Sequence, residues 1–272
     1  MDDFFAANRL NWADRAKLHS TDTTGAYRIA DVLAGGDNLG PIEAAEIGDV
    51  AGRRLIHLQC HIGLDTISLA GRGAIASGLD FSPEALAVAR DFAARAGRDV
   101  RFVQSNVYDA PKTLGETYEA AYVTWGTVTW LPDIFRWAKV VADVLEPGGF
   151  LYFADTHPCA AALEQVDGKL TPLYAWRTPR ESPIPFEDAV TYTGDTREIG
   201  NRRCYNWIHP LSDIITALMQ SGLTLEWLHE HDRLPYRLFP MMVPAEANGL
   251  YCLPDEISTF PLAFSLKAVK RG

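Results

Sequence analysis

Residues 55–70 read LIHLQCHIGLDTISLA, and three kinds of local structure meet in them. Leu55-Ile56-His57-Leu58 is a short, mostly apolar run that suits a buried strand. From Leu64 onward, Leu64, Ile67, Leu69 and Ala70 supply the packing positions of a helix. The turn between them, Gln59-Cys60-His61-Ile62-Gly63, puts backbone N–H groups and a helix N-terminus at one spot, which suits a polar or anionic ligand. One strand further on, residues 74–79 (AIASGL) end at Asp80. An acid about 20 positions after such a turn is the usual acceptor of ribose hydroxyls in nucleotide-binding α/β folds. Asp80 has a second available role, capping the helix that Ser82-Pro83-Glu84 opens; the spacing favours ribose.

The alternation continues outward. The helix after Pro83 runs to about Ala96 and stops at Gly97. Residues 100–103 (VRFV) read as a third strand and 119–125 as a fourth. After a helix led by Leu131-Pro132-Asp133, the Pro147-Gly148-Gly149 turn enters a fifth strand, 150–154 (FLYFA). Residues 223–228 and 262–269 read as two more strands, the last antiparallel, with a Pro- and aromatic-rich stretch at 232–255 placed to close a pocket wall. Strands alternating with helices predict a parallel sheet covered on both faces, with ligands at the carboxyl ends of the strands. Those ends are Gln59, Asp80, Asn106, Trp125 and Asp155, so one pocket collects them.

A chain of 272 residues can bury a full core. Its net charge of −10 argues against a general nucleic-acid binder, and its apolar runs are too short to cross a bilayer. The start, Met-Asp-Asp-Phe-Phe, lacks the basic region of a secretory leader, so a cytoplasmic location is expected. The four cysteines, Cys60, Cys159, Cys204 and Cys252, are widely spaced and read as free thiols. Cys60 beside His61 has no second ligand pair at zinc spacing, so no metal is expected.

Residues 1–50 read as a helical cap and 51–272 as the main domain. Within it, residues 157–205 break the strand–helix rhythm with repeated prolines and with Tyr174, Trp176, Phe186 and Tyr192. They read either as an inserted lid over the strand ends or as an ordered insertion without ligand contact.

These motifs, with GLDFSPEALAVAR, SNVYDAP and VLEPGGFLYFADTHP, resemble the class I S-adenosylmethionine-dependent methyltransferases, and most closely a bacterial branch whose first loop reads QCHxGLDT. The resemblance covers roughly residues 50–156. The fold it implies is α/β: a Rossmann-like doubly wound seven-stranded sheet, mostly parallel with an antiparallel last strand, plus an N-terminal helical lead-in and an inserted lid. It implies S-adenosyl-L-methionine as cofactor and S-adenosyl-L-homocysteine as product. Gln59, Cys60, His61 and Gly63 would then face the methionine part, and Asp80 the ribose. Phe81, Asn106 and Val107 would meet the adenine, and Trp125 would border the methyl group. The first loop departs from the common acid-plus-glycine pattern: His57 replaces the acid, and Gln59 and His61 replace two glycines.

Methyl transfer needs a positioned nucleophile and exclusion of water, with a base only where the acceptor carries a proton. His157, after the fifth strand, and His209, before the late helix, are the candidate bases. Tyr27, Trp130, Tyr174, Trp176 and Trp207 are candidate walls of an aromatic-lined acceptor pocket. The expected acceptor is a small aromatic or apolar molecule methylated on O, N or S, with no nucleic-acid or membrane partner and a monomer or homodimer as the assembly. Two other classes stay open: a nucleotide-binding oxidoreductase, and a catalytically silent S-adenosylmethionine-binding regulator.

Overall fold

In the computed structural model, residues 2–245 and 249–272 are described; Met1 and residues 246–248, the latter part of the expected pocket wall, lie outside them. Helices α1 (Asp2–His19), α2 (Ile29–Leu33) and α3 (Pro41–Glu46) form the lead-in. Strand and helix then alternate through β1 (Arg54–Leu58), α4 (Leu64–Gly71), β2 (Ile75–Asp80), α5 (Pro83–Arg95), β3 (Arg101–Gln104), α6 (Ala110–Leu114), β4 (Tyr118–Thr124), α7 (Ile134–Val144) and β5 (Leu145–Thr156). The insertion carries α8 (Pro158–Ala161) and two antiparallel pairs, β6 (Leu163–Val166) with β7 (Lys169–Pro172) and β8 (Ile184–Glu187) with β9 (Arg203–Asn206). After α9 (Leu211–Gln220) and β10 (Leu223–His231) come the short strands β11 (Arg233–Leu234), β12 (Val243–Pro244) and β13 (Tyr251–Cys252), and then β14 (Ala263–Lys270).

The main sheet has seven strands in the order β10-β14-β5-β4-β1-β2-β3. Only β14 runs antiparallel, wedged between β5 and β10. The central strands are buried on both faces, as the near-continuous apolar runs of parallel strands require. On β4, Ala121 and Val123 face the layer with Trp137 and Phe153, whose ring centroids lie 5.1 Å apart. Ala120 and Tyr122 face the other layer, toward α4 and the end of the lead-in.

Two strands differ from the sequence expectation by several residues. Strand β5 starts at Leu145, and the Pro147-Gly148-Gly149 turn is absorbed into it through a register slip between Tyr118 and Ala120. A Cβ on Gly149 would meet the Tyr118 and Glu146 carbonyl oxygens at 3.0 Å, so a side chain there would push the backbone apart by a few tenths of an ångström. Strand β10 runs on to His231 because β14 pairs with it along its full length, past a bulge between Leu225 and Trp227.

Helix α5 starts as read. The Ser82 hydroxyl accepts the Ala85 N–H at 3.1 Å, with Pro83 in the first helical position. Ser82→Ala is expected to remove about 1 kcal/mol of stability, seen as a lower urea midpoint at unchanged slope.

The insertion is fastened to α1. The Asn8 amide donates to the Tyr205 carbonyl at 2.9 Å and accepts the Tyr205 N–H at 2.8 Å, standing in for a neighbouring strand. Asn11 donates to the Asn201 carbonyl at 2.8 Å, and Arg15 pairs with Asp188 at 2.5 Å. Lead-in and insertion therefore make one cover over the strand ends. Among the described residues no helix is long and apolar enough to cross a membrane.

Candidate active site

The turn after β1 is held in an unusual backbone. Gln59, His61 and Trp125 have φ of 59°, 50° and 30°, a left-handed region that favours glycine. Such positions cost on the order of 1–3 kcal/mol each and persist only where neighbours enforce them. Here Gln59 Nε2 donates to the Thr127 carbonyl at 3.0 Å, the His61 N–H donates to Asp80 Oδ2 at 2.9 Å, and Trp125 Nε1 donates to Glu43 Oε1 at 2.6 Å. That is how glutamine and histidine occupy a turn where the resemblance expects glycines. Gly63 also has a left-handed φ, of 76°, and opens α4.

Asp80, at the end of β2, holds the turn and the next helix together. Its Oδ2 takes the His61 N–H and its Oδ1 the Ser82 N–H at 2.9 Å. It is buried, and burial raises its pKa to about 6. The helix-capping role and a place in the cavity coexist, because each carboxylate oxygen has a second lone pair.

A cavity of about 750 Å³ opens over these strand ends. It is walled by Gln59, Cys60, His61 and Gly63 from the turn, Asp80 and Phe81 after β2, Asn106 and Val107 after β3, and Trp125 after β4. The Asn106 Oδ1 accepts the Tyr108 N–H at 3.0 Å, which leaves its amide N–H groups for other partners. The cover contributes Trp12, Tyr27, Tyr192 and Tyr236, and the loop after β4 contributes Trp130. Trp12 stands nearly perpendicular to Trp130, with centroids 5.2 Å apart, and lies 4.9 Å from the His61 ring. His61 Nε2 is 2.8 Å from His19 Nδ1, and His19 Nε2 is 2.5 Å from the Thr191 hydroxyl. Burial holds both imidazoles neutral, well below the ordinary histidine pKa.

Other expected site residues lie elsewhere. Tyr174, Trp207 and His209 line a separate cavity of about 240 Å³, which shares Gly126 and Tyr236 with the larger one. The Trp207 indole N–H is used by the Arg180 carbonyl at 3.0 Å, and His209 Nε2 by the Leu131 carbonyl at 2.7 Å. Trp176 is 53 % exposed, under the Arg177 guanidinium, and lines neither cavity. His157 caps α8, its Nδ1 accepting the Cys159 N–H at 3.2 Å and its Nε2 lying 3.3 Å from Glu230. It is outside both cavities because the chain turns into α8 as soon as β5 ends.

The structure adds residues that the sequence reading did not single out. Glu43 of α3, Asp65 of α4 and Thr127 all line the large cavity. Among the described residues, the buried side-chain atoms without a hydrogen-bond partner are Glu43 Oε2, Gln59 Oε1, Thr127 Oγ1 and Trp137 Nε1. The first three belong to walls of this cavity; Trp137 is in the core. Burial, and then the neighbouring Asp65, push the Glu43 pKa up to about 7. In sequence Glu43 was only an acid in the first turn of a short helix, with nothing to separate it from Glu46.

Comparison with known proteins agrees with this geometry. The family described as "Methyltransferase domain" matches residues 56–149. The ubiquinone biosynthesis O-methyltransferase of Shewanella sp. (strain ANA-3) is 29 % identical over 107 residues, which are 39 % of this chain and 45 % of that protein. That of Vibrio campbellii is 29 % identical over 105 residues, 39 % of this chain and 44 % of that protein. The chain thus spans less than half the length of these relatives. Among solved structures, an S-adenosylmethionine-dependent methyltransferase from Mesorhizobium loti superposes with a TM-score of 0.57 at 20 % identity, covering 85 % of this chain and 96 % of that one. One from Methanosarcina mazei gives 0.56 at 18 % identity, covering 86 % and 98 %. Residues 56–149 are thus similar to the methyltransferase domain, and the chain has the fold of the class I S-adenosylmethionine-dependent methyltransferases.

Proposed function

We propose that this protein transfers a methyl group from S-adenosyl-L-methionine to an oxygen, nitrogen or sulfur of a small aromatic or apolar acceptor. The observation that carries the reading is the set of orphaned atoms, Glu43 Oε2, Gln59 Oε1 and Thr127 Oγ1, on residues that line one acid-rich cavity. Buried acceptors without partners are costly, and a cationic ligand with N–H donors satisfies them. A dinucleotide diphosphate brings no positive charge to them, and Glu43 and Asp65 would repel it. That weighs against the nicotinamide oxidoreductase.

When bound, S-adenosylmethionine supplies an electrophilic sulfonium methyl group. The chain's part is to bind, orient and exclude water. In this reading Asp80 accepts the ribose hydroxyls on its remaining lone pairs. Phe81 and Val107 pack the adenine, and the Asn106 amide donates to its edge. The Gln59–Gly63 turn and Trp125 hold the methionine side. The acceptor lies under Trp12, Tyr27, Trp130, Tyr192 and Tyr236, which present apolar faces with polar tips. Two relatives named for O-methylation in ubiquinone biosynthesis support an oxygen acceptor. A second reading, a cofactor binder without turnover, is favoured by Gln59 and His61 filling the turn. Methyl transfer to any member of a panel of phenols, amines and thiols decides against it.

The first test is calorimetric titration with S-adenosylmethionine, S-adenosylhomocysteine and NADH. Micromolar binding of the two sulfur nucleosides, with none of NADH, is expected. Binding of NADH alone would overturn the reading.

A further inference from the structure

Glu43 lies on α3, ahead of the segment that matches the methyltransferase domain. It is 3 % exposed. Its Oε1 accepts the Trp125 indole N–H at 2.6 Å and, more weakly, the Gly40 N–H at 3.4 Å; its Oε2 has no partner. Asp65, at the start of α4, is the acid whose charge it feels. Asp65 Oδ1 accepts from the Asn38 amide at 2.6 Å, and its Oδ2 from the Thr124 and Tyr122 hydroxyls at 3.4 and 3.5 Å. Among the described residues, every partner of the two carboxyls is neutral.

Among the described residues no cation lies within ion-pair distance of either carboxyl, and Arg28, on the same cavity wall, is 3.5 Å from Asp31. On β1, His57 is buried and neutral, its Nδ1 2.9 Å from the Thr66 hydroxyl. On β5, the Tyr152 hydroxyl donates to Glu46 at 3.1 Å, and Glu46 also meets His229 and His231 of β10 at 2.8 and 3.8 Å. Asp37, before α3, adds negative charge at Asp65 and is itself paired with Arg72 at 2.6 Å. Two buried carboxyls with neutral partners, both on residues that line one cavity and one with an unused oxygen, hold a proton until a cation replaces it. A primary ammonium carries three N–H donors and a positive charge; a sulfonium carries the charge without donors.

We propose that the Glu43–Asp65 pair seats the ammonium group of the cofactor's amino-acid tail, and that the pair releases a proton to solvent when that ammonium arrives. This rests on the cofactor reading above and makes α3 part of the cofactor site. It also answers the loss of an acid at position 57: negative charge enters from the lead-in and from α4 instead.

The experiment titrates the full chain at pH 6.5 with S-adenosylhomocysteine and with 5′-methylthioadenosine, which lacks the amino-acid tail. Each titration is run in phosphate and in imidazole, buffers of different ionisation enthalpy. For the wild type, the heat of homocysteine-nucleoside binding is expected to differ between buffers by the equivalent of about half to one released proton. In Glu43→Gln its affinity is expected to fall about tenfold or more, and the buffer dependence to shrink to that of methylthioadenosine. Methylthioadenosine should bind both proteins alike and with the same small buffer dependence in each, which also shows that the variant is folded. Equal binding of S-adenosylhomocysteine by wild type and variant overturns the assignment, as does an equal loss of both ligands or a wild type without proton release. Binding of neither nucleoside to the wild type is a different result, and defeats the cofactor reading itself.

Discussion

Asp80→Ala is expected to weaken S-adenosylhomocysteine binding by about 100-fold, the effect of losing hydrogen bonds to a buried carboxylate. The same variant leaves the N–H groups of His61 and Ser82 without their acceptor, so the turn and the start of α5 loosen together. The unfolding free energy should drop by about 1–3 kcal/mol. Asp80→Asn separates the two effects: it keeps an oxygen for one N–H and removes the charge. Calorimetry beside urea denaturation reads both quantities. If Asp80→Ala loses stability but keeps its affinity, Asp80 is a helix-capping residue and the ribose lies elsewhere.

The second large effect is steric. A Cβ on Gly63 would lie 2.8 Å from Ala89 Cβ and 2.8 Å from Phe102 Cζ, and Gly63 already has φ of 76°. Gly63→Ala therefore combines a left-handed alanine with a collision against α5 and β3, and is expected to cost about 3 kcal/mol or more. The thermal midpoint should fall by several degrees, with loss of cofactor binding, since α4 can no longer sit against the turn. Gly97→Ala is the control: φ is 63° there, but nothing lies within 4 Å of the added carbon. Its cost should be the backbone term alone, about 1 kcal/mol. Equal losses in the two variants would mean that packing at Gly63 is not tight.

The sheet was legible because each strand and helix near Asp80 carried its own signal. Ser82-Pro83 announced a cap, and the apolar runs announced buried strands. The walls of the large cavity were legible for a related reason: in a parallel sheet the residues after the strands gather at one edge, and four of the five expected ends, Gln59, Asp80, Asn106 and Trp125, line it, while Asp155 lines the smaller cavity. The cover was not. Tyr174, Trp176 and Trp207 look alike in sequence, yet Trp176 faces solvent while Tyr174 and the buried Trp207 border the smaller cavity. Their directions depend on how the insertion docks on α1, through Asn8, Asn11 and Arg15, and none of those contacts has a periodicity. His157 and His209 were chosen by their places in the chain, after the fifth strand and before the late helix, and both are engaged in hydrogen bonds to backbone groups instead. Glu43 was missed because one acid in a six-residue helix carries no pattern; only its burial and its orphaned oxygen distinguish it.

The Asn8–Tyr205 clasp joins residues 197 positions apart, and both lie outside the matched stretch 56–149. A mutation at the clasp can therefore reshape the roof of the cavity while the matched stretch keeps its sequence. Descent can keep the floor and redraw the roof. On that account, chains sharing the QCHxGLDT turn should differ most in the chemistry they accept where α1 and the insertion differ, and exchanging those two pieces together, never singly, should carry acceptor preference from one to another.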